Sequence, residues 1–359
     1  MHLLAGLPAA LVLIVIGLTG AALAFRDDYV RWANASFFSG ESLGPAMGHD
    51  ALVAKVEAEY APSRVESINL IWPGDFQYYF MNDRGPLIVN SVDGRVLDPR
   101  AGEAWHSKLV IKANELHTKL ALGEPGRIAR DIATYEVLLL IPTGVILWWR
   151  TKRFSLKWRA PWYRRLWDFH NTVGISVALP VMFLAFTGSL IALRLPESFQ
   201  SDSPEPPRQP DPRSVFIAEV ARRVPTPIDT AIALAEAALP DVPTYQVALP
   251  DSPVAPIAVN KVVGGFAARN HRSTVYVDRY SGQVLRVDRA RPYTSAYRAY
   301  SFGKRIHTGG EFGGAGKAIL MVSSFCFAGL AVSGLGLGIR KVYGWRTRSQ
   351  SGARATTPE

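Results

Sequence analysis

Cysteine is nearly absent from this 359-residue chain; Cys326 is the only one. A single thiol excludes an intramolecular disulfide framework and any cysteine-ligated zinc or iron–sulfur centre. Acidic residues are missing from two strips. Residues 150–165 carry seven bases and residues 340–354 carry five, with no acid in either. The rest of the chain holds 28 basic and 30 acidic groups, so the net charge of +10 resides in those strips. A basic face spread over a domain, the footprint of a nucleic-acid binder, is therefore excluded. No strand–GxGxxG–helix nucleotide fingerprint is found; Gly334-Leu335-Gly336-Leu337-Gly338 lies in an apolar run, where close packing explains it better. Hydrophobic residues make up 48% and charged ones 19%, which rules out a disordered chain and is too polar for an all-membrane bundle.

What is present is four apolar runs, at residues 3–25, about 131–149, about 171–195 and about 314–339. Each is long enough to cross a hydrocarbon core, which takes about 20 helical residues. The basic strips directly follow the second and fourth runs, so the positive-inside rule places them, and both termini, in the cytoplasm. Trp148, Trp149, Trp158, Trp162, Trp167 and Trp345 gather near the same ends, as interfacial anchors do. The first run competes with a cleaved signal peptide ending at Ala22-Leu23-Ala24, but no basic residue precedes it, and it is expected to be retained.

Residues 26–116 and 196–306 are then left outside, each expected to be a small α+β domain, the second entered through a proline-dense linker at 203–212. Both contain alternating runs broken by hairpin turns, at Asp93-Gly94 and Ser281-Gly282. Residues 51–60 and 228–239 read as their covering helices. The expected order is a first span to residue 25, a domain at 26–116 and, at 117–149, a second span with the His segment that precedes it. A basic loop at 150–169, a third span at 170–195, a second domain at 196–306, a fourth span with its preceding His segment at 307–340 and a tail at 341–359 follow.

The chain repeats itself. Met1-His2-Leu3-Leu4-Ala5-Gly6 matches Phe169-His170-Asn171-Thr172-Val173-Gly174, and the same offset carries Thr19-Gly20 onto Thr187-Gly188. A second offset superposes Leu116-His117-Thr118 on Ile306-His307-Thr308, Gly126-Arg127 on Gly316-Lys317, and Thr143-Gly144 on Ser333-Gly334. Each half has two spans, so the halves enter the membrane in the same direction and are expected to be related by an axis along its normal. His2 and His170 then share one depth, and His117 and His307 another. His2 and His117 stand at opposite faces, about 30 Å apart, so pairing must cross the halves.

Neutral imidazole is a general metal ligand, and two of them facing across a bundle can fill both axial positions of a haem iron. Gly6 and Gly174, one turn after their histidines, either clear room for a porphyrin or let helices pack closely. Zinc fits poorly, because no Cys, Asp or Glu recurs beside the histidines at ligand spacing. His49, His106 and His271 have no counterparts and are expected at the surface. The segment before His307 carries Arg286, Arg289, Arg291, Arg298, Lys304 and Arg305 among Tyr293, Tyr297, Tyr300 and Phe302. Arg291, Arg298, Arg305 and Tyr297 are candidate contacts to haem propionates or an acidic chelate, against the alternative of a strip facing solvent or lipid headgroups.

The histidine motifs, together with Val275-Tyr276-Val277-Asp278-Arg279-Tyr280-Ser281-Gly282-Gln283-Val284-Leu285, resemble the PepSY-associated transmembrane family, and within it the inner-membrane ferric-siderophore reductases of Gram-negative bacteria. Asn171 departs from the arginine that commonly follows the histidine. The resemblance implies four spans, two periplasmic PepSY-like domains and two b-type haems ligated by His2, His170, His117 and His307. It implies an enzyme that passes electrons from a cytoplasmic or quinol donor to a periplasmic ferric siderophore, releasing iron(II). Two alternatives stay open: a membrane-tethered PepSY-type binding or regulatory protein, and a haem protein donating electrons to a periplasmic partner.

Overall fold

The computed structural model describes residues 2–38, 44–70, 76–83, 85–98, 105–193, 211–214, 225–262, 272–290 and 294–354. In chain order the first elements are α1 (His2–Leu23), α2 (Arg26–Ala33), α3 (Ala35–Phe38), α4 (His49–Glu59), β1 (Val65–Asn69), β2 (Phe76–Met81), β3 (Pro86–Asn90) and β4 (Val96–Leu97). The middle of the chain forms α5 (Trp105–Lys119), α6 (Gly123–Thr151), α7 (Trp162–Leu193) and α8 (Ile228–Ala238). The last elements are β5 (Thr244–Ala248), β6 (Ile257–Lys261), β7 (Ser273–Val277), β8 (Val284–Asp288), α9 (Ser295–His307) and α10 (Gly313–Arg354). The chain divides into a unit of Met1–Tyr29, Lys108–Leu195 and Phe302–Glu359, and a unit of Val30–Ser107 and Pro196–Ser301.

The first unit is helical. His2–Leu23, Gly123–Thr151, Trp162–Leu193 and Gly313–Tyr343 are long and apolar enough to cross a membrane. α6 starts at Gly123, ahead of its apolar run, because its first turns are held by ion pairs. Arg127 bridges Glu124 and, at 2.7 Å, Asp131. Ala9, Leu13, Ala133, Val137, Val181 and Ala185 form the bundle core. Small residues permit that closeness: a Cβ on Gly17 would lie 3.0 Å from the Ser324 carbonyl oxygen on α10.

His117 and His307 lie on the segments that precede the second and fourth spans, and these segments are separate helices: His117 stands in the last turn of α5 and His307 ends α9. The breaks have a local cause. Leu120 and Ala121 take left-handed φ of 50° and 56° before Gly123 at 65°, and Gly309 and Gly313 do the same at 76° and 58°. Gly126, at the start of α6, is obligatory beside the first of these turns, since a Cβ there would come within 2.0 Å of the Lys119 carbonyl oxygen.

In the second unit, each of the two segments expected to be an α+β domain contributes four strands and a covering helix. Together these strands form one antiparallel eight-stranded sheet in the order β4-β3-β2-β1-β5-β6-β7-β8. The join is β1–β5, with Ile68 opposite Val247. Unpaired strand edges expose backbone N–H and C=O groups, and pairing β1 with β5 removes two such edges. α4 and α8 cover one core, in which Leu52 and Val56 meet Ile228, Ala231 and Ala235 over Ile68, Val89, Val247 and Val275.

The two turns read from the sequence share one geometry. The Asn90 side chain accepts the Val92 N–H at 2.8 Å, as the Asp278 carboxylate accepts the Tyr280 N–H at 2.9 Å. Gly94 and Gly282 hold φ of 67° and 71°, the left-handed region that glycine enters without penalty. Residues 203–210 of the expected linker lie outside the described residues.

Candidate functional site

The four histidines come together as two pairs, both across the halves of the chain. His2 and His170 have ring centroids 6.2 Å apart, and His117 and His307 have centroids 6.5 Å apart. A direct N–H···N hydrogen bond of about 3 Å would bring such centroids to about 5 Å. A metal–imidazole bond is about 2.0–2.1 Å, and the ring centroid lies about 1.1 Å further, so two axial imidazoles on one ion stand about 6.2 Å apart. The observed separations match a one-atom bridge.

Each imidazole rests on a neighbouring helix in the same manner. His117 Nδ1 lies 3.1 Å from Thr19 Oγ1 and 3.1 Å from the Ile16 carbonyl oxygen. His170 Nδ1 lies 3.0 Å from Ser333 Oγ and 3.1 Å from the Leu330 carbonyl. His2 Nδ1 is 3.0 Å from Thr143 Oγ1, and His307 Nδ1 is 3.0 Å from Thr187 Oγ1. The Leu140 and Leu184 carbonyls take the corresponding place for these two rings. Every hydroxyl residue is followed by glycine. A Cβ on Gly20, Gly144, Gly188 or Gly334 would stand 3.2, 3.3, 3.1 or 3.2 Å from the Cε1 of the ring it supports. The glycine removes the side chain that would hold the ring off the helix.

The two pairs occupy opposite ends of α1 and α7. His2 and Thr19 share α1, His170 and Thr187 share α7, and the equal spacing corresponds to a rise of about 26 Å. Around His2 and His170 the bundle opens into a cavity of about 440 Å³. Its walls are apolar apart from a few groups, and include Leu13, Val137, Val181 and Phe327. That volume falls within the range of sites that enclose an organic cofactor, about 300–1,000 Å³. Gly6 and Gly174 line it, and Cβ atoms there would make only ordinary contacts, at 3.5 Å to Leu140 and 3.6 Å to Leu330.

Among the described residues, no three His, Cys, Asp or Glu side chains converge as a metal site. Each pair of imidazoles supplies two nitrogen ligands, the number of axial positions on a haem iron.

Arg305 is committed to Glu311 at 2.6 Å and stacks over Phe302 at 5.6 Å. Arg298 is exposed and donates to Ser295 Oγ at 3.1 Å. Tyr297 is buried, with 4% of its surface exposed, and burial raises its pKa. Arg291 lies outside the described residues. His49, expected at the surface, is instead half-buried, with its ring against the Asp229 carboxylate. His271 and the side chain of His106 lie outside the described residues.

The Thr/Ser-Gly dipeptides were legible in the sequence only as markers of the repeat. Their recurrence once in each of the four spans was the available signal of a shared role.

No curated protein matches this chain. The family model described as the PepSY-associated TM region matches residues 1–215, more than half of the sequence, and the chain belongs to that family.

Proposed function

We propose that this protein is a b-type haem reductase of the bacterial inner membrane, carrying electrons across the membrane to a ferric siderophore in the periplasm. The observation that carries the reading is the pair of imidazole separations, 6.2 and 6.5 Å, each ring with its Nδ1 engaged by a neighbouring helix. His2 and His170 would hold one haem and His117 and His307 the other. Bound haem iron supplies one-electron chemistry.

The chain's own residues supply position and environment. Ala9, Leu13, Val137, Val181 and Ala185 form an apolar core in the bundle, and Leu13, Val137 and Val181 of these also line the cavity. In such a medium a change of charge at either pair is felt more strongly than in water. The halves are read as a parallel repeat, which gives each haem one histidine from each half. The basic strips at 150–165 and 340–354 set both termini inside, so His2 and His170 lie at the cytoplasmic level, toward a cytoplasmic or quinol donor. His117 and His307 lie at the outer level, where an iron(III) chelate would be reduced and iron(II) released.

The test is a reduced-minus-oxidised spectrum of the purified protein with pyridine haemochrome quantitation. Two b-type haems per chain, oxidised on addition of a ferric siderophore, are expected. A colourless protein after expression with haem supplied would overturn the proposal and favour a binding or regulatory module. Reduction that requires an added periplasmic protein would replace the chelate with that partner.

A further inference from the structure

We infer that the four Thr/Ser-Gly dipeptides are positioning residues that fix the proton on Nδ1 of each histidine and thereby set the basicity of Nε2. The inference rests on reading the two imidazole pairs as axial ligands.

The argument is one of donors and acceptors. A backbone carbonyl only accepts, so Nδ1 of His117 must donate to Ile16 and Nδ1 of His170 to Leu330. The hydroxyls agree, because each spends its own proton elsewhere. Thr19 donates to the Val15 carbonyl at 2.6 Å, Thr143 to Leu139 at 2.7 Å, Thr187 to Phe183 at 2.9 Å and Ser333 to Leu330 at 3.1 Å. What each hydroxyl offers its imidazole is therefore a lone pair. All four rings are fixed with hydrogen on Nδ1 and the free electron pair on Nε2, the nitrogen left to bind a metal.

Two consequences follow for a bound iron. An imidazole that donates from Nδ1 is a stronger σ-donor through Nε2, which favours iron(III) and lowers the reduction potential. The ring orientation is also set before any ligand arrives, because glycine brings the imidazole Cε1 against the helix. Thr187 and Ser333 are not equivalent in stiffness. A β-branched side chain is restricted at χ1, whereas serine is freer, and Ser333 bonds the carbonyl three residues back rather than four. The support under His170 is the least constrained of the four.

The experiment uses the full-length, haem-loaded protein with Thr187→Val, Thr187→Ser and Gly188→Ala. The readouts are haem stoichiometry, midpoint potentials by spectroelectrochemical titration, and the low-spin electron paramagnetic resonance of each haem. Thr187→Val keeps the shape and removes one of the two acceptors at Nδ1, leaving the Leu184 carbonyl. It should raise the potential of one haem and weaken its retention about 10- to 100-fold, while the other haem keeps its potential and reports that the bundle is folded. Thr187→Ser should restore wild-type behaviour. Gly188→Ala should displace the His307 ring and abolish that haem's low-spin signal. A Thr187→Val protein with both potentials and both resonances unchanged would overturn the inference while leaving the haem reading intact. A wild-type protein that binds no haem would bring down both.

Discussion

Asp50 and Asp229 cap each other's helices. The Asp50 carboxylate accepts the Ile228 N–H at the start of α8, and the Asp229 carboxylate accepts the His49 N–H at the start of α4, both at 2.9 Å. Neither helix has a side-chain cap of its own, since Gly48 and Pro227 occupy the cap positions. A Cβ on Gly48 would stand 3.2 Å from Asp229 Oδ2, so glycine makes the approach easy. Each carboxylate also sits at the positive end of the opposite helix. Asp50→Ala or Asp229→Ala should cost about 1 kcal/mol of local stability. Hydrogen exchange at the first turns of both helices measures it; protection equal to wild type in both variants would contradict the exchange of caps.

Lys261 provides the pH-dependent case. It is 1% exposed, and among the described residues its ammonium reaches the Ala235 carbonyl and the Thr244 hydroxyl, both at 3.4 Å. Burial lowers its pKa, with Glu236 and Asp241 opposing the shift. In the unfolded chain a lysine titrates near about 10.4. Between the lowered value and that one the unfolded chain binds the extra proton, so stability rises with pH. Lys261→Met should remove that rise and stabilise the sheet at neutral pH. The check is hydrogen exchange of β6 at pH 7 and above, corrected for intrinsic rates; an unchanged pH slope in the variant would refute it.

Haem content separates the two imidazole pairs. His117→Ala or His307→Ala should leave about one haem per chain, and so should His2→Ala or His170→Ala, because a bis-imidazole site stripped of one ligand loses its low-spin state. If the proposed function holds, both levels lie on one path, and ferric-siderophore reduction should fail in all four variants. Full haem content in both His117→Ala and His307→Ala would exclude ligation at that level.

Asp168 tethers the basic segment that precedes it. Its side chain is fully buried, with the Arg164 guanidinium at 3.0 Å and the backbone N–H of Lys157 donating at 3.3 Å. Breaking such a pair by removing one partner leaves the other uncompensated. Asp168→Ala should speed tryptic cleavage after Lys157 several-fold, measured by mass spectrometry on the detergent-solubilised protein. Equal cleavage rates would show that Thr172, which bonds both the N–H and the carbonyl of Ser155, holds the segment alone.

Orientation is open to direct measurement. Fusions of a compartment reporter after Lys157 and at the C-terminus should report cytoplasm, and fusions at Asp93 and Gly282 should report periplasm. A periplasmic C-terminus would invert the levels assigned to the two pairs.

The spans were legible because hydropathy acts over a whole helix, yet their ends were not. α6 gains its first two turns from Arg127 and its carboxylates, which a hydropathy reading counts as loop. Both Gly-containing turns were readable, since left-handed glycine is local chemistry, and so were α4 and α8, but not the caps that Asp50 and Asp229 exchange across nearly 180 residues. The β1–β5 join was not, because strand pairing between residues near 68 and 247 depends on edges that carry no pattern of their own. The pairing of histidines could be read from the repeat. The hydroxyl and glycine beneath each ring could not, for they lie between 98 and 163 residues away for His117, His2, His307 and His170.

The shared sheet has a consequence for how the protein is made. Its first four strands are synthesised before residues 108–195, and the last four after them. Until β5 emerges, β1 waits as an open edge, and Leu52, Val56 and Val89 lack the half of the core that α8 and β7 complete. The ribosome must thread two hydrophobic segments into the membrane during that interval. Truncated chains ending near residue 195 should therefore be held by chaperones or degraded rather than accumulate as a folded first half.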